Sequence, residues 1–325
     1  MTHRERIDAA IAGKRPDKVP AALWRHFPEH DQKAERLAEA HIAFYRAYEP
    51  DLLKFTPSSG YYGDDWGLRA GYKANREGTR SISDRPIKKA ADWAKLRRLD
   101  TSHGVYGREA HAIRLVADAV GAEVPVLETV FSPLSIARTI AGEQATVRYL
   151  RENPEALHEG LEVITDVQIA FARNVLSAGA DGLFFSSQMA THDLLTREEY
   201  EEFGRPYDLR MLDEAGASLV FLHIHGLNVM FDLFDDYPVQ IVNWHSRETA
   251  PTIADARRRI STCLACGVDA WNTLSRGTPE AVVAEVRDAV AQTGGRGHIV
   301  TTGCVMPVDT PESNIRAALA AARES

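Results

Sequence analysis

Apolar positions along the chain follow two periods. Short, nearly continuous apolar runs occur at VPAALW (19–24), LLKFT (52–56), VPVLETVF (124–131), GLFFSS (182–187), SLVFLHIHG (218–226), VQIVNWHS (239–246), TCLACG (262–267) and HIVTTGC (298–304). They predict eight strands. Continuous rather than alternating apolar character marks parallel strands covered on both faces. Between them lie helical patterns. Residues 29–49 repeat apolar positions at i, i+4, and 154–180 is long and amphipathic with a stop signal at Gly179. Residues 278–295 begin Thr-Pro and end on a glycine pair, and 310–325 repeat the Thr-Pro start.

Eight strand–helix alternations predict a closed parallel (β/α)8 barrel of the TIM type. The alternative is a doubly wound open sheet, which would carry a glycine-rich turn after the first run. ALWRHFPEH (22–30) has none. The stretch 57–120 reads as strand-free and rich in Gly, Tyr, Trp and Asp, so it is expected to be a long insertion after the second strand, over the barrel mouth. No Pro/Ser/Gly linker divides the chain, so 1–325 is expected to be one domain.

Composition narrows the function. Apolar residues make up 44% and charged residues 26%, enough to bury a large core. With 38 Lys+Arg against 46 Asp+Glu the net charge is −8, which argues against nucleic acid or an anionic membrane surface as partner. The start, MTHRERIDAA, has charges where a signal peptide would be apolar, and the stretch around 217–231 is too short to span a bilayer. Three cysteines make no disulfide framework. The expected compartment is reducing and cytoplasmic.

Barrel chemistry sits at the carboxyl ends of the strands. There the runs place Arg25 and His26, Thr56, Glu128, Ser186 with Ser187 and Gln188, His223 and His225, Asn243 with His245, Cys266, and Cys304. His223 and His225 are two apart, so a strand presents both rings on one face. With Cys304 on the last run they offer two nitrogens and a sulfur, a set that suits zinc with an open fourth position. Hydrogen-bonded interior histidines and a packed cysteine are the other reading of the same spacing. Cys263 and Cys266 form a C-x-x-C in an apolar run. Their sulfurs would face opposite sides of a strand, which makes Cys263 structural and leaves Cys266 a reserve ligand. Glu128, between apolar neighbours, is an enclosed carboxylate in need of a partner. Arg25 suits a carboxylate or phosphate.

Several segments resemble the uroporphyrinogen decarboxylase superfamily: RERIDAAIAGKRPDKVPAALW, SPLSIARTIAG, LSAGADGLFFSS, LTREEYEEFGRPYDLRML, CGVDAWNTLSRGTPEAV and TTGCVMPVDTPESNIRAAL. They cover nearly the whole chain in order, and the resemblance implies a (β/α)8 barrel. The decarboxylases of that family are metal-free and hold an acidic tetrapyrrole. Their pattern is kept here at Arg25, but the second Arg of that segment is missing, Pro57 takes the Asp position, the Tyr position falls near Arg138, and Cys304 takes the His position. The chain is more similar to the zinc methyltransferases that work with a corrinoid protein. Their His-x-Cys after the fifth strand appears here as His223 and His225, and their last cysteine as Cys304, with 78 residues between His225 and Cys304.

The resemblance therefore implies a methyltransferase or demethylase holding one Zn2+ on His223, His225 and Cys304. Glu128 is expected as a fourth ligand or base. Arg25 is expected to grip a substrate carboxylate or sulfonate, with Tyr61, Ser187, Gln188, His245 and Asn272 as further substrate contacts. No D-x-H-x-x-G segment is present, so a corrinoid would come from a partner protein or free in solution. A homodimer is the expected assembly. Two competing functions are a metal-free decarboxylase of a polycarboxylate, drawing on Arg25, Lys54, Arg69 and Arg138, and a non-catalytic binding protein.

Overall fold

The computed structural model describes residues 1–325. Seven parallel strands form one curled sheet in the order β1 (Leu53–Phe55), β4 (Val126–Phe131), β5 (Gly182–Ser187), β6 (Val220–Ile224), β7 (Ile241–Trp244), β8 (Cys263–Val268) and β9 (His298–Thr302). Each core strand falls within, or one residue past, an apolar run read from the sequence. The first run, 19–24, forms only an isolated parallel bridge, Ala21 to Val300. Its backbone nevertheless meets both sheet edges: Ala22 N donates to Val300 O at 3.0 Å, and Asp51 N, just before β1, donates to Ala21 O at 2.8 Å.

Side-chain alternation divides the sheet into two apolar layers. Trp24, Leu127, Phe184, Phe221, Ile241, Cys263 and Ile299 pack together on the inner face. The larger cluster lies between the sheet and its helices and takes Val130, Phe185, Leu222, Trp244 and Cys266. Burying each such large side chain contributes about 1.5–3 kcal/mol. Cys263 and Cys266 fall in different layers, as a three-residue offset on a strand requires. No cysteine is paired with another.

The helix Pro154–Ser177 stops where expected. Gly179 adopts φ +109°, and a Cβ there would meet Ala117 Cβ at 2.9 Å. The helix Pro279–Thr293 starts on Thr278, whose Oγ1 accepts from Ala281 N at 3.3 Å. The second Thr-Pro behaves differently. Thr310 Oγ1 donates to Pro307 O at 2.7 Å, and the last helix begins only at Glu312, so Thr310 is no cap.

The stretch 57–120 is not strand-free. It carries an antiparallel hairpin, β2 (Arg69–Tyr72) with β3 (Arg80–Asp84), then a 3-10 turn at Ala90–Lys95 and the helix Gly104–Val120. The hairpin residues are mostly polar and none is buried, so no apolar period announces them. No helix is long and apolar enough to cross a membrane.

Candidate metal centre

Four side chains converge where β6, β7 and β9 end. The nitrogens of His223, His225 and His245 and the sulfur of Cys304 all lie within 4.8 Å of one another. His223 Nε2 is 3.4 Å from His225 Nδ1, and Cys304 Sγ is 3.6 Å from that same nitrogen. His223 lies inside β6, His225 and His245 one residue past β6 and β7, and Cys304 two residues past β9. The two-residue offset of His223 and His225 turns both rings to the same side.

Parallel register supplies the support behind the first ring. His223 sits opposite Asn243 on β7. Asn243 Nδ2 donates to Ala265 O at 2.7 Å, Thr302 O at 3.0 Å and Thr301 Oγ1 at 3.2 Å. That orientation leaves Oδ1 to accept from His223 Nδ1 at 2.6 Å, so Nε2 keeps a free lone pair toward the centre. His245 is oriented the same way, its Nδ1 donating to Glu248 Oε1 at 3.1 Å. Its Nε2 is buried with no hydrogen-bond partner. Gly303 makes the closure possible. A Cβ there would meet His245 Cα at 2.7 Å and Trp244 O at 3.1 Å, so only glycine lets the chain after β9 pass close enough to deliver Cys304.

The local field favours a thiolate. Burial alone would push the Cys304 thiol up. The imidazoles of His225, His223 and His245 more than offset this and hold it well below the usual thiol range. Burial pushes His223 down, while at His245 the opposing effect of burial is overcome by Cys304 and Glu248, which raise it to about 9. Three lone pairs and a thiolate crowded into this space repel one another unless a proton or cation lies among them. Imidazole and thiolate are borderline-soft donors suited to zinc, and His223 and His245 carry the outer hydrogen bonds typical of metal-ligating histidine. The donor set fits a metal ion.

All four side chains line a cavity of about 440 Å³. His245 was expected to contact substrate and instead joins the cluster. Its presence in the set could not be seen from spacing, because no repeat links it to the His-x-His pair. Gln188 also lines the cavity, its Oε1 accepting from Arg138 Nη1 at 3.3 Å. The other expected contacts stand elsewhere. Arg25 donates to Val308 O at 2.7 Å and lies over the Phe27 ring, outside the cavity wall, which is formed there by His26. Tyr61 OH donates to Thr129 O at 3.0 Å among the helices, and its neighbour Tyr62 reaches the cavity. Ser187 Oγ bonds Tyr200 OH at 2.8 Å, while Ser186 faces inward. Asn272 is exposed and donates to Asp269 Oδ2 at 2.9 Å.

Glu128 does not reach the cluster. On β4 it is Leu127, Thr129 and Phe131 that face the inner layer or the cavity. Glu128 therefore points toward the helices. It is fully buried, and neither oxygen has a partner. Burial, reinforced by Glu109, pushes it well above the usual carboxyl range. Cys266 is likewise absent from the cluster, and burial pushes its thiol up to about 12.

A curled parallel sheet with a His/Cys cluster at its carboxyl rim defines an α/β protein with a candidate metal centre. The chain belongs to the uroporphyrinogen decarboxylase (URO-D) family, which it matches over residues 2–325. It is 25% identical over 341 aligned positions to the methylcobamide:CoM methyltransferase MtbA of Methanosarcina acetivorans, covering 97% of this chain and 96% of that one. It is 23% identical over 315 positions to the uroporphyrinogen decarboxylase of Microcystis aeruginosa, covering 92% and 85%. A solved structure, a methyltransferase from Methanosarcina mazei, superposes with TM-score 0.89 at 20% identity, covering 100% of this chain and 99% of that one. That likeness establishes the shared fold.

Proposed function

We propose that this protein is a zinc-dependent methyltransferase that moves a methyl group between a small molecule and a corrinoid. The observation that carries the reading is the convergence of His223, His225, His245 and Cys304 within 4.8 Å on the cavity wall. The similarity to methylcobamide:CoM methyltransferases over nearly the full length supports it. These four residues would hold the zinc, three of them being enough for a catalytic site with one position left for a ligand. Bound there, zinc supplies Lewis acidity that makes a heteroatom of the acceptor nucleophilic at neutral pH. A corrinoid, free or carried by a partner protein, supplies or receives the methyl group.

The chain's own residues do the rest. Cys304 is kept as a thiolate. Asn243 and Glu248 hold the protons of His223 and His245 on Nδ1, away from the centre. The cavity encloses the acceptor, with Phe184, Trp24 and Phe131 excluding water from one wall. Glu128 and Arg25 stand outside the cavity and take no part in the chemistry. The sheet is a (β/α)8 barrel in which Pro20–Ala22 is the eighth stave, and the stretch 57–120 holds an insertion near the mouth. The chain is one domain, placed in the cytoplasm. A polycarboxylate decarboxylase would need several free cations in the cavity, yet Arg80 is paired with Asp64 and Arg138 with Glu143.

Elemental analysis of the purified protein and a methylcobalamin demethylation assay test the proposal. Zinc should be present, and His223→Ala should lose both metal and corrinoid-dependent methyl transfer. Metal-free protein with full activity would overturn it.

A further inference from the structure

Three lysine and arginine side chains line the cavity, and they differ in one respect. Arg80 forks onto Asp64 at 2.9 and 3.2 Å. Arg138 forks onto Glu143 at 2.9 and 2.8 Å. Lys54, on β1, makes no ion pair. It is 6% exposed, and its Nζ donates to Thr56 Oγ1 at 3.2 Å. Otherwise it lies over the rings of Phe184, at 4.7 Å, and Trp24, at 5.9 Å. The one carboxylate buried at neighbouring register, Glu128, points to the opposite face of the sheet.

A cation withdrawn from water needs a counter-charge. Two aromatic faces and a hydroxyl are a partial substitute. Burial pushes the Lys54 amine down to about 7, against the pull of Cys304 and Glu128. An anion arriving in the cavity would restore its full charge. The other cations on the cavity wall, Arg80, Arg138 and protonated His245, already face Asp64, Glu143 and Glu248.

We infer that Lys54 is the recognition point for an oxyanionic group on the small molecule that occupies the cavity. The ligand is then compact, with its oxyanion at Lys54 and, if the methyl-transfer reading holds, its reactive heteroatom at the His/Cys cluster. Only the second contact rests on that reading. The oxyanion contact needs no metal.

Two probe pairs test this. Zinc-loaded protein is titrated with 3-mercaptopropionate and with 3-mercaptopropanol, which differ only in the charged group. The carboxylate should bind about tenfold or more tighter, the gain expected of a charge-assisted hydrogen bond. Lys54→Met should abolish that preference while leaving binding of the alcohol intact. On metal-stripped wild-type protein, propionate but not propanol should slow acetylation of Lys54, followed by peptide mass spectrometry. This second measurement needs no variant and no metal. A carboxylate preference that survives in Lys54→Met, or equal protection by propionate and propanol, overturns the inference. Failure of the metal reading shows instead as identical thiol binding by loaded and stripped protein, with protection by propionate unchanged.

Discussion

Replacing Asn243 with leucine removes a side chain of similar size that never touches the proposed ion. Asn243 donates to Ala265 O, Thr302 O and Thr301 Oγ1, and these bonds fix its carbonyl oxygen 2.6 Å from His223 Nδ1. Without that acceptor the His223 proton is free to move to Nε2, where it blocks the lone pair aimed at the centre. Loss of such an outer partner weakens metal binding by about 10- to 100-fold. The strand-end groups left without a donor cost a further 1–3 kcal/mol or so of folding stability. Competition for zinc against a chromophoric chelator at neutral pH measures the first effect, and urea unfolding of the stripped protein measures the second. Asn243→Asp separates them. It keeps an acceptor for His223 but cannot donate to the two carbonyls, so it should lose stability while holding zinc more tightly than the leucine variant. Zinc affinity in Asn243→Leu equal to wild type would show that Asn243 does not hold the His223 proton on Nδ1.

Other consequences follow from particular contacts. Gly303→Ala places a methyl 2.7 Å from His245 Cα, so zinc affinity and methyl transfer should fall together, measured by the same competition and by methylcobalamin turnover. Glu128→Gln should leave zinc content and turnover unchanged and raise stability at neutral pH, because the wild-type carboxyl must take up a proton to be buried and the amide need not; a loss of metal would return Glu128 to the site. Asp208 accepts from Tyr200 OH at 2.7 Å and Tyr237 OH at 3.1 Å, and burial pushes it from its ordinary 3.8 up to about 7 despite both. The native chain therefore holds a proton that the unfolded chain releases. Between about pH 4 and 7 the stability of wild type relative to Asp208→Asn should fall by about 1.4 kcal/mol per pH unit as pH rises, and level off outside that window. A difference that is flat with pH across that window, in urea melts, would contradict this.

Much of this arrangement was readable from residue order. Parallel strands buried on both faces write themselves as unbroken apolar runs, which is why β4 to β9 coincide with VPVLETVF, GLFFSS and their successors. The same property hides orientation. In VPVLETVF every position but Phe131 is buried, and nothing in the residues tells that Thr129 faces the cavity and Glu128 the helices. Ser186 and Ser187 pose the same ambiguity. His223 and His225 were legible because a two-residue spacing has a fixed meaning on a strand. His245 was not, since its approach depends on strand register and on Gly303, one strand beyond the neighbouring β8. The β2–β3 hairpin was missed because its strands bury almost no apolar surface. Arg25 and His26 are consecutive, and which one turns inward is decided by packing against Phe27 and Val308.

In the proposed centre one sulfur and a set of imidazole nitrogens share a single ion. X-ray absorption at the zinc edge of the purified protein tests it most directly. One zinc per chain is expected, with a single sulfur at about 2.3 Å and nitrogens at about 2.0–2.1 Å, the sulfur shell vanishing in Cys304→Ser. Protein without bound metal, or a zinc shell that holds no sulfur in the wild type, would contradict it.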